Sequence, residues 1–247
     1  MIKINRISKS FNGKAILKDV SNEFEKGKCN LIIGSSGTGK SVLLKCIVGL
    51  VPPDSGNVFY DLRNFTEADK EMKAEIRREI GMLFQGGALF DSKNVEKNVM
   101  FPLDVLTKMP YDEKLDRVNF CLKRVGLESV NKKMPSEISG GMKKRAAIAR
   151  AMAFEPSLLF LDEPSAGLDP VSAVELDELI LTLNEVLGLT VVIVTHELAS
   201  IFKIAGRCIM LDKESKSIIA SGNPNELRDR SDDPRVLAFF NRTAKAA

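Results

Sequence analysis

A phosphate-binding loop is the strongest chemical signal in this sequence. The stretch "GSSGTGKS" at residues 34–41 has the spacing G-x-x-x-x-G-K-S/T and lies between an apolar run and a helical pattern. Its backbone N–H groups can cradle phosphates, Lys40 can reach the β- and γ-phosphates, and the Ser41 hydroxyl can ligate Mg²⁺. The stretch therefore predicts a nucleoside triphosphate site made of Gly34, Ser35, Ser36, Gly37, Thr38, Gly39, Lys40 and Ser41.

Two acidic residues stand at the end of a second apolar run, "SLLFLDE". Asp162 can hold Mg²⁺ through its water shell, as in other P-loop nucleotidases. Glu163 is then placed to orient or deprotonate the attacking water. Taken alone, the pair would be two solvated carboxylates that cap a strand. Beside a phosphate loop, it predicts hydrolysis.

Three further residues have weaker signals. His196 is the only histidine, and a lone histidine is usually structural. Its place after a third apolar run favours a hydrogen bond to the γ-phosphate that holds the attacking water in line. Gln85, in "GMLFQGG", can offer an amide oxygen to Mg²⁺. Phe11, in "KSFNG", can either stack on a purine ring or belong to the core.

A second candidate anion site lies in "EISGGMKKRAAIAR", residues 137–150. Ser139, Gly140 and Gly141 directly precede a run with a helical pattern. The start of a helix offers bare N–H groups and a positive dipole end to an anion. The chain thus carries two phosphate grips, and the second needs a phosphate of its own.

Positioning these groups requires an α/β fold. Three short apolar runs, at 29–34, 157–163 and 190–197, predict strands that are covered on both faces. Helical patterns follow the first two runs, so we expect a parallel sheet. Ligands of such sheets bind outside the carboxyl ends of the strands, and the three polar groups should meet there.

Two regions depart from this alternation of strands and helices. The first sixty residues alternate polar and apolar positions, as half-exposed antiparallel strands do. Residues 86–150 have helical patterns without a convincing strand, which indicates a helical insertion.

Composition sets limits on partners. The net charge of +3 gives no sign of a nucleic-acid binder, and we expect the basic cluster 143–145 to be a solvated helix face. The apolar runs are far shorter than the ~20 residues that span a bilayer, so work at a membrane would need a partner. The cysteines form no C-x-x-C pair, which predicts reduced, buried thiols at Cys29, Cys46, Cys121 and Cys208.

Together, these motifs resemble those of the ATPase subunits of ABC transporters, over nearly the whole chain. "GSSGTGKS" is similar to Walker A, "SLLFLDEP" to Walker B, "ISGGM" to the signature motif and "AGLD" to the D-loop. Gln85 falls at the Q-loop, His196 at the switch histidine and Phe11 at the aromatic A-loop, all in the family's order.

The resemblance implies a fold and its division. The family has a P-loop, RecA-like α/β core with an antiparallel β subdomain and an inserted helical subdomain. On this chain, that implies an ATPase domain over 1–225 and a short C-terminal tail over 226–247. Within the domain, the core would be 1–85 and 151–225, and the helical subdomain 86–150.

The resemblance also implies roles at the site, with ATP and Mg²⁺ as cofactors. Lys40, Glu163 and His196 would be catalytic, and Mg²⁺ would be held by Ser41, Gln85 and Asp162. The nucleotide would be bound by Phe11, the loop 34–41, Val42 and Gln85.

The family gives the second phosphate grip its ligand. In ABC ATPases the signature loop closes on the γ-phosphate that is held by the other subunit, and two copies trap two ATP molecules. Ser139, Gly140, Gly141 and Asp169 would therefore bind nucleotide in trans within a homodimer. Since ADP lacks the γ-phosphate, hydrolysis would open the interface.

Three positions depart from the family's commonest pattern. Met142 replaces the glutamine that usually ends the signature, so any polar role of that side chain is lost. Val42 replaces threonine and removes a possible contact to the α-phosphate. Phe11 replaces tyrosine but keeps a stacking face. The core chemistry is retained.

Some stretches resemble a subgroup, the ATPases of Mla-type, MCE-associated lipid transporters: "GKSVLLK", "SGGMKKR", "FQGGALFDSKNVEKNVMFPL" and "DDPRVLAFFN". That resemblance implies an ABC permease in the inner membrane, an MCE-domain lipid-binding protein in the complex, and a peripheral position on the cytoplasmic membrane face. Two alternatives stay open: an ATPase for amino-acid or ion import, and a soluble ABC ATPase outside transport. The second usually shows coiled coils, zinc-binding insertions or two cassettes, which this chain lacks.

The segment 86–106 is a candidate docking surface for a permease helix. It follows Gln85 and holds Leu89, Phe90, Val95, Val99, Met100 and Phe101. We expect about half of these to pack the helical insertion and the others to receive a short helix by helix-in-groove recognition.

Overall fold

The computed structural model describes residues 1–87 and 89–243 and divides the chain into two units. The first unit joins Met1–Arg77 to the part that begins at Thr190, and the second is Arg78–Leu189. The predicted boundaries at 85, 150 and 225 stay predictions. Ala88 and residues 244–247 of the predicted tail lie outside the described residues.

The alternating segments of the first sixty residues form an antiparallel sheet, as their pattern predicts, and a short strand at Arg63–Asn64 is added to it. The turn between its first two strands is Asn12-Gly13, with φ of 49° and 75°, the left-handed pair that a two-residue hairpin requires. Ile2 and Ile4 alternate into the core along the first strand, and Ile7 joins them after a shift in register. The strands, in the order β2-β1-β4-β5, are β1 (Ile2–Phe11), β2 (Lys14–Phe24), β4 (Ser55–Tyr60) and β5 (Arg63–Asn64).

A second sheet in the first unit has the order β10-β9-β3-β8. β3 (Cys29–Ile33) is buried along its whole length and pairs in parallel with both neighbours, β8 (Thr190–Val194) and β9 (Arg207–Leu211). Burial on both faces explains why four of the five residues are apolar, and the side chain of the polar one, Asn30, is buried and donates to the Glu25 carbonyl. β10 (Ile218–Gly222) adds an antiparallel edge.

The helices of the first unit follow their sequence signals. The helix after the phosphate loop begins at Lys40, and Gly49 beyond its end has φ of 73°, as a helix-terminating glycine does. Arg235 on the last helix donates to Asp212 at 3.0 Å, which ties that helix to the end of β9. The helices are α1 (Lys40–Ile47), α2 (Lys70–Arg78, at the border of the units), α7 (Leu198–Ile204), α8 (Pro224–Arg230) and α9 (Pro234–Asn241).

The second unit combines two parallel strands with the predicted helices. β6 (Ile80–Leu83) pairs with β7 (Leu158–Asp162), which is buried throughout. A Cβ at Gly81 would lie 2.5 Å from the Ala151 carbonyl, so this glycine lets the helix that ends at Met152 approach β6. The helices are α3 (Val95–Leu106), α4 (Tyr111–Arg124), a 3₁₀ turn (Pro135–Glu137), α5 (Gly140–Met152) and α6 (Pro170–Leu187).

Several predictions about elements are confirmed. The three apolar runs are the buried strands β3, β7 and β8, and the stretch 86–150 is helical wherever it is described as regular structure. All four cysteines are buried thiols outside any disulfide. Burial raises the pKa of Cys46 and Cys121 to about 11 and that of Cys208 to about 12, so these three thiols stay protonated. Among the described residues, no helix has the length and apolarity to cross a bilayer.

Candidate nucleotide-binding site

The phosphate loop follows β3 and is closed by its own side chains. Lys40 donates from Nζ to the carbonyls of Gly34 at 2.8 Å and Ser35 at 3.1 Å. The buried Thr38 hydroxyl also donates to the Ser35 carbonyl, at 3.0 Å. The ammonium group of Lys40 thus lies at the carbonyl side of the loop, while Ser35, Ser36 and Gly37 face solvent.

Two glycines of the loop are required by their surroundings. Gly34 has φ of 140°, and a Cβ there would lie 2.5 Å from the Leu211 carbonyl at the end of β9. Gly39 has φ of 95°, and its Cβ would lie 2.9 Å from Leu17 Cδ2. Both positions are left-handed and crowded, so the spacing of the motif is fixed by tertiary contacts as well as by phosphate chemistry.

The neighbouring parallel strand brings His196 to the same sheet edge. Ile32 of β3 pairs with Val194 of β8, and Gly34 and His196 each follow two residues later. Adjacent strands lie about 4.8 Å apart, so the loop and the histidine begin at the same level. The His196 side chain is 48% exposed, which leaves the ring accessible.

The remaining candidates of the first unit flank the loop. Ser41 and Val42 lie in the first turn of α1 and are half-buried. Phe11 ends β1 and is 45% exposed, so it is not a core residue, and the Lys9 ammonium lies 5.4 Å from its ring centroid. The exposed ring keeps a face on which a base can stack.

An equivalent edge forms in the second unit. Leu83 of β6 pairs with Leu161 of β7, so Gln85 and Glu163 each follow two residues beyond a matched pair. Asp162 and Glu163 are buried, with 3% and 6% of their surfaces exposed, whereas Gln85 is exposed. Two buried carboxylates and an amide at one edge give this unit a concentrated set of oxygen ligands.

Glu163 has an unusual backbone conformation. Nine non-glycine residues of the described chain have positive φ, and Glu163, at 49°, is the buried one among them. A left-handed conformation costs a non-glycine residue on the order of 1 kcal/mol and is retained when the surroundings fix it. A buried carboxylate held in a strained turn is preorganised, as a general base must be.

The prediction for the basic cluster 143–145 is wrong at Lys144. This lysine is buried, with 7% exposed, and its Nζ donates to the Gln85 carbonyl at 2.7 Å. Burial lowers the pKa of Lys144, while the charges of Asp162 and Glu163 act in the opposite direction. Position 144 is four residues from Ile148, so the helical period puts both on one face of α5, and packing in the folded chain buries that face.

The second phosphate grip lies at the start of α5. Ser139 is the N-cap, and its Oγ accepts from the Met142 N–H at 3.2 Å, which leaves the hydroxyl hydrogen for another acceptor. The first N–H groups of the helix have no partner within it. Ser139 and Gly140 are exposed, so this end of α5 is open to a ligand.

Asp169 caps the neighbouring helix. Its Oδ1 accepts from the N–H groups of Val171 and Ser172, and its Oδ2 accepts from the Ser172 hydroxyl at 2.6 Å. These bonds hold the pKa of Asp169 below its usual range. A Cβ at Gly141 would lie 3.6 Å from Ser172, so the structure brings the starts of α5 and α6 together.

The sequence model of the ABC transporter family matches residues 17–166. The chain belongs to the ABC transporter family. The matched range begins within β2. It includes the phosphate loop, Gln85, the start of α5 and the acidic end of β7. The predicted family is therefore confirmed, together with its α/β fold.

Curated relatives match nearly the whole chain. The "Probable ribonucleotide transport ATP-binding protein mkl" of Mycobacterium tuberculosis is 40% identical over 97% of this chain and 66% of its own length. The "Intermembrane phospholipid transport system ATP-binding protein MlaF" of Escherichia coli is 38% identical over 97% of this chain and 88% of its own. "Methionine import ATP-binding protein MetN 1" of Listeria monocytogenes is 43% identical over 86% and 64%. The chain spans slightly less than two thirds of the first of these relatives.

A solved structure gives the same fold. The ATP-binding cassette MJ0796, in a dimeric post-hydrolysis state bound to ADP and Pi, has a TM-score of 0.80 at 31% identity. The match covers 90% of this ABC ATPase chain and 98% of MJ0796. The predicted P-loop core with an antiparallel β subdomain is confirmed by this similarity.

Proposed function

We propose that this chain is the ATP-hydrolysing subunit of an ABC transporter and that it serves a membrane permease for phospholipid. The observation that carries hydrolysis is the buried acidic end of β7, where Glu163 is held at a φ of 49°. A site that only binds nucleotide needs no carboxylate held in this way, whereas a carboxylate beside the phosphates can serve as the general base for an attacking water.

The roles of the residues follow from their chemistry. Glu163 takes a proton from the water whose oxygen bonds to the γ-phosphorus, the bond from that phosphorus to the bridging oxygen breaks, and ADP leaves with the electron pair. Lys40 neutralises charge on the β- and γ-phosphates, and His196 donates to a γ-phosphate oxygen. The exposed ring of Phe11 stacks on the base.

Mg²⁺ fits the donor set. Ser41, Gln85 and Asp162 offer a hydroxyl, an amide oxygen and a carboxylate, the hard oxygen ligands that Mg²⁺ prefers beside phosphates. When bound, the ion neutralises charge on the phosphates.

Two copies form the working unit in this proposal. The open end of α5, with Ser139, Gly140 and Gly141, binds the γ-phosphate held by the phosphate loop of the other copy, and Asp169 stands beside it. The dimeric state of MJ0796 supports a dimer of cassettes. Because ADP offers no γ-phosphate to this grip, the pair separates after hydrolysis.

The cargo proposal rests on similarity to MlaF, which covers 88% of that relative. It brings with it an inner-membrane permease, an MCE-domain protein and a peripheral position on the cytoplasmic face. The 43% identity to MetN 1 favours a second candidate, import of an amino acid or ion. A soluble ABC ATPase outside transport is a third reading, which none of the relatives named above favours.

Purification of the intact complex from detergent-extracted membranes separates these readings. A tagged copy of the chain is expressed in its own host, and co-purifying chains are identified by mass spectrometry. We expect a polytopic permease and an MCE-domain protein. An amino-acid receptor in place of the MCE-domain protein would overturn the lipid reading and leave the transporter reading intact. A complex without any membrane protein would overturn both.

A further inference from the structure

A buried lysine joins the helix of the second phosphate grip to the turn that holds Gln85. Lys144 lies in the second turn of α5, and its Nζ donates to the Gln85 carbonyl at 2.7 Å. Lysine is seldom buried unless its charge is partnered. The neighbouring Arg145 pairs instead with Glu175, at 2.6 Å on the surface of the unit. The contact with Gln85 is therefore specific to Lys144 and is not shared by Arg145.

The Gln85 turn meets Lys144 at two points. The Gly87 N–H donates to the Phe84 carbonyl at 2.8 Å and closes a four-residue turn with Gln85 at its second position. A Cβ at Gly87 would lie 3.7 Å from Lys144 Cδ, so the aliphatic part of the lysine side chain passes beside the turn. Its ammonium group donates to the Gln85 carbonyl of the same turn. The aliphatic chain and the ammonium group of Lys144 together fix the backbone at Gln85, while Gln85 itself stays exposed.

We propose that Lys144 is a positioning residue that couples the Gln85 turn to the phosphate grip at the start of α5. This inference rests on the proposed function, in which Gln85 contacts Mg²⁺ and Ser139 contacts the partner's γ-phosphate. Lys144 is one helical turn from Gly140, about 6 Å along the axis, and a helix moves over that distance as a rigid rod. A shift of the Gln85 carbonyl therefore displaces the grip, because the short charge-assisted bond between them resists stretching.

The coupling predicts a specific division of effects. In the proposed function, ATP is held within one protomer mainly by the phosphate loop, whereas the hydrogen bond of Lys144 goes to the Gln85 carbonyl. Closure of two protomers depends on the grip, which Lys144 aligns. A lysine that only filled space would change thermal stability and leave closure alone, so nucleotide affinity, closure and turnover must be measured separately.

The test uses Lys144→Met, which keeps the stem and removes the donor, with Lys143→Met as the matched control one residue away. ATP affinity of the protomer is measured with a fluorescent ATP analogue, and ATP-dependent dimerisation by sedimentation in the Glu163→Gln background. We expect unchanged affinity, about tenfold weaker dimerisation and about tenfold lower kcat with unchanged KM, as loss of one hydrogen bond to a charged group predicts. Lys143→Met should match the parent, and Lys144→Arg should recover to within about threefold.

Normal dimerisation and normal kcat in Lys144→Met would overturn the inference, as would a loss explained wholly by weaker protomer binding of ATP. If circular dichroism shows that Lys144→Met is unfolded, Lys144→Leu is judged by the same readouts. Should Glu163→Gln form no ATP-dependent dimer, the proposed assembly fails, and the kcat of Lys144→Met in the otherwise unaltered chain decides on Lys144.

Discussion

The side-chain amide of Asn98 holds the backbone of Phe90 from both sides. Asn98 Oδ1 accepts from the Phe90 N–H at 2.7 Å, and Nδ2 donates to the Phe90 carbonyl at 3.1 Å. The same Nδ2 donates to the carbonyls of Lys93 and Asn94, at 2.8 and 3.1 Å. One fully buried amide thus fixes the loop that presents Phe90, whose ring is 38% exposed.

The Phe90 ring is a candidate anchor for the permease. The ring packs on Phe101, with centroids 4.7 Å apart, and the Arg150 guanidinium lies 5.4 Å from its centroid, yet the residue stays exposed. Phe90→Glu should release the chain from permease-containing membranes while ATP binding survives, because an apolar anchor of this size contributes roughly 1.5–3 kcal/mol. Leu89→Glu should act in the same direction. Membrane flotation with and without the permease measures both.

The control for docking is Val186→Glu. Val186 lies on α6, is 57% exposed, and places the same charge on the same unit outside the segment 86–106. This variant should stay bound to membranes. If Phe90→Glu floats with membranes as the parent does, the Phe90 surface is not the docking site.

Glu163→Gln should separate binding from turnover. The amide keeps the volume of the carboxylate but cannot accept the proton of the attacking water, so kcat should fall by about 10²–10⁴-fold with ATP affinity largely intact. Lys40→Ala should instead weaken ATP binding, because it removes the cation between the β- and γ-phosphates. Isothermal titration and phosphate release are the measurements. Turnover at the parent rate in Glu163→Gln would exclude this residue as the base.

Mixing two inactive variants tests the sites in trans. Lys40→Ala damages the phosphate loop, and Ser139→Ala damages the grip. A mixed dimer then has one site with both lesions and one intact site. Random pairing makes half of the dimers mixed, so activity should return to about a quarter of the parent value at most. Mixtures that stay as inactive as either variant alone, although native mass spectrometry finds mixed dimers, would contradict two independently acting composite sites.

Glu96 makes the second unit sensitive to acid. Its side chain is 5% exposed, and burial alone would raise the pKa of Glu96, but hydrogen bonds from Lys132, Asn131 and Tyr111 outweigh burial and lower the pKa. A lowered folded-state pKa gives stability that is present above the ordinary glutamate value of about 4.3 and is lost as pH falls through the folded value.

Glu96→Gln should therefore cost about 1–3 kcal/mol at pH 7, as loss of hydrogen bonds to a buried charge does, and less as pH falls below about 4. Thermal unfolding from pH 3 to 7 measures the difference. Glu128→Gln is the control, because Glu128 is 65% exposed and its 3.9 Å pair with Lys123 contributes little. A difference between parent and Glu96→Gln that stays constant with pH would show that the charge of Glu96 is not involved.

Short contiguous stretches of the sequence were enough to locate the main strands and the reactive groups. The phosphate loop is contiguous, so its spacing alone identifies Gly34–Ser41, and the apolar runs that become β3, β7 and β8 are buried along their whole length and read directly as strands. Asp162, Glu163 and His196 were found because each directly ends or follows such a run. These features depend on residues close together in the chain, where composition and period suffice.

Burial and long-range pairing were decided by the tertiary structure. Val95, Val99 and Met100 are buried, whereas Phe90 is exposed, although all belong to one apolar segment. Lys144 looked like part of a solvated face and is buried against Gln85, 59 residues earlier. The left-handed turn at Glu163 had no sequence mark either. Burial and backbone strain depend on which surfaces of the folded chain pack together. The partner of a side chain many residues away is set by the same packing, which local sequence patterns do not encode.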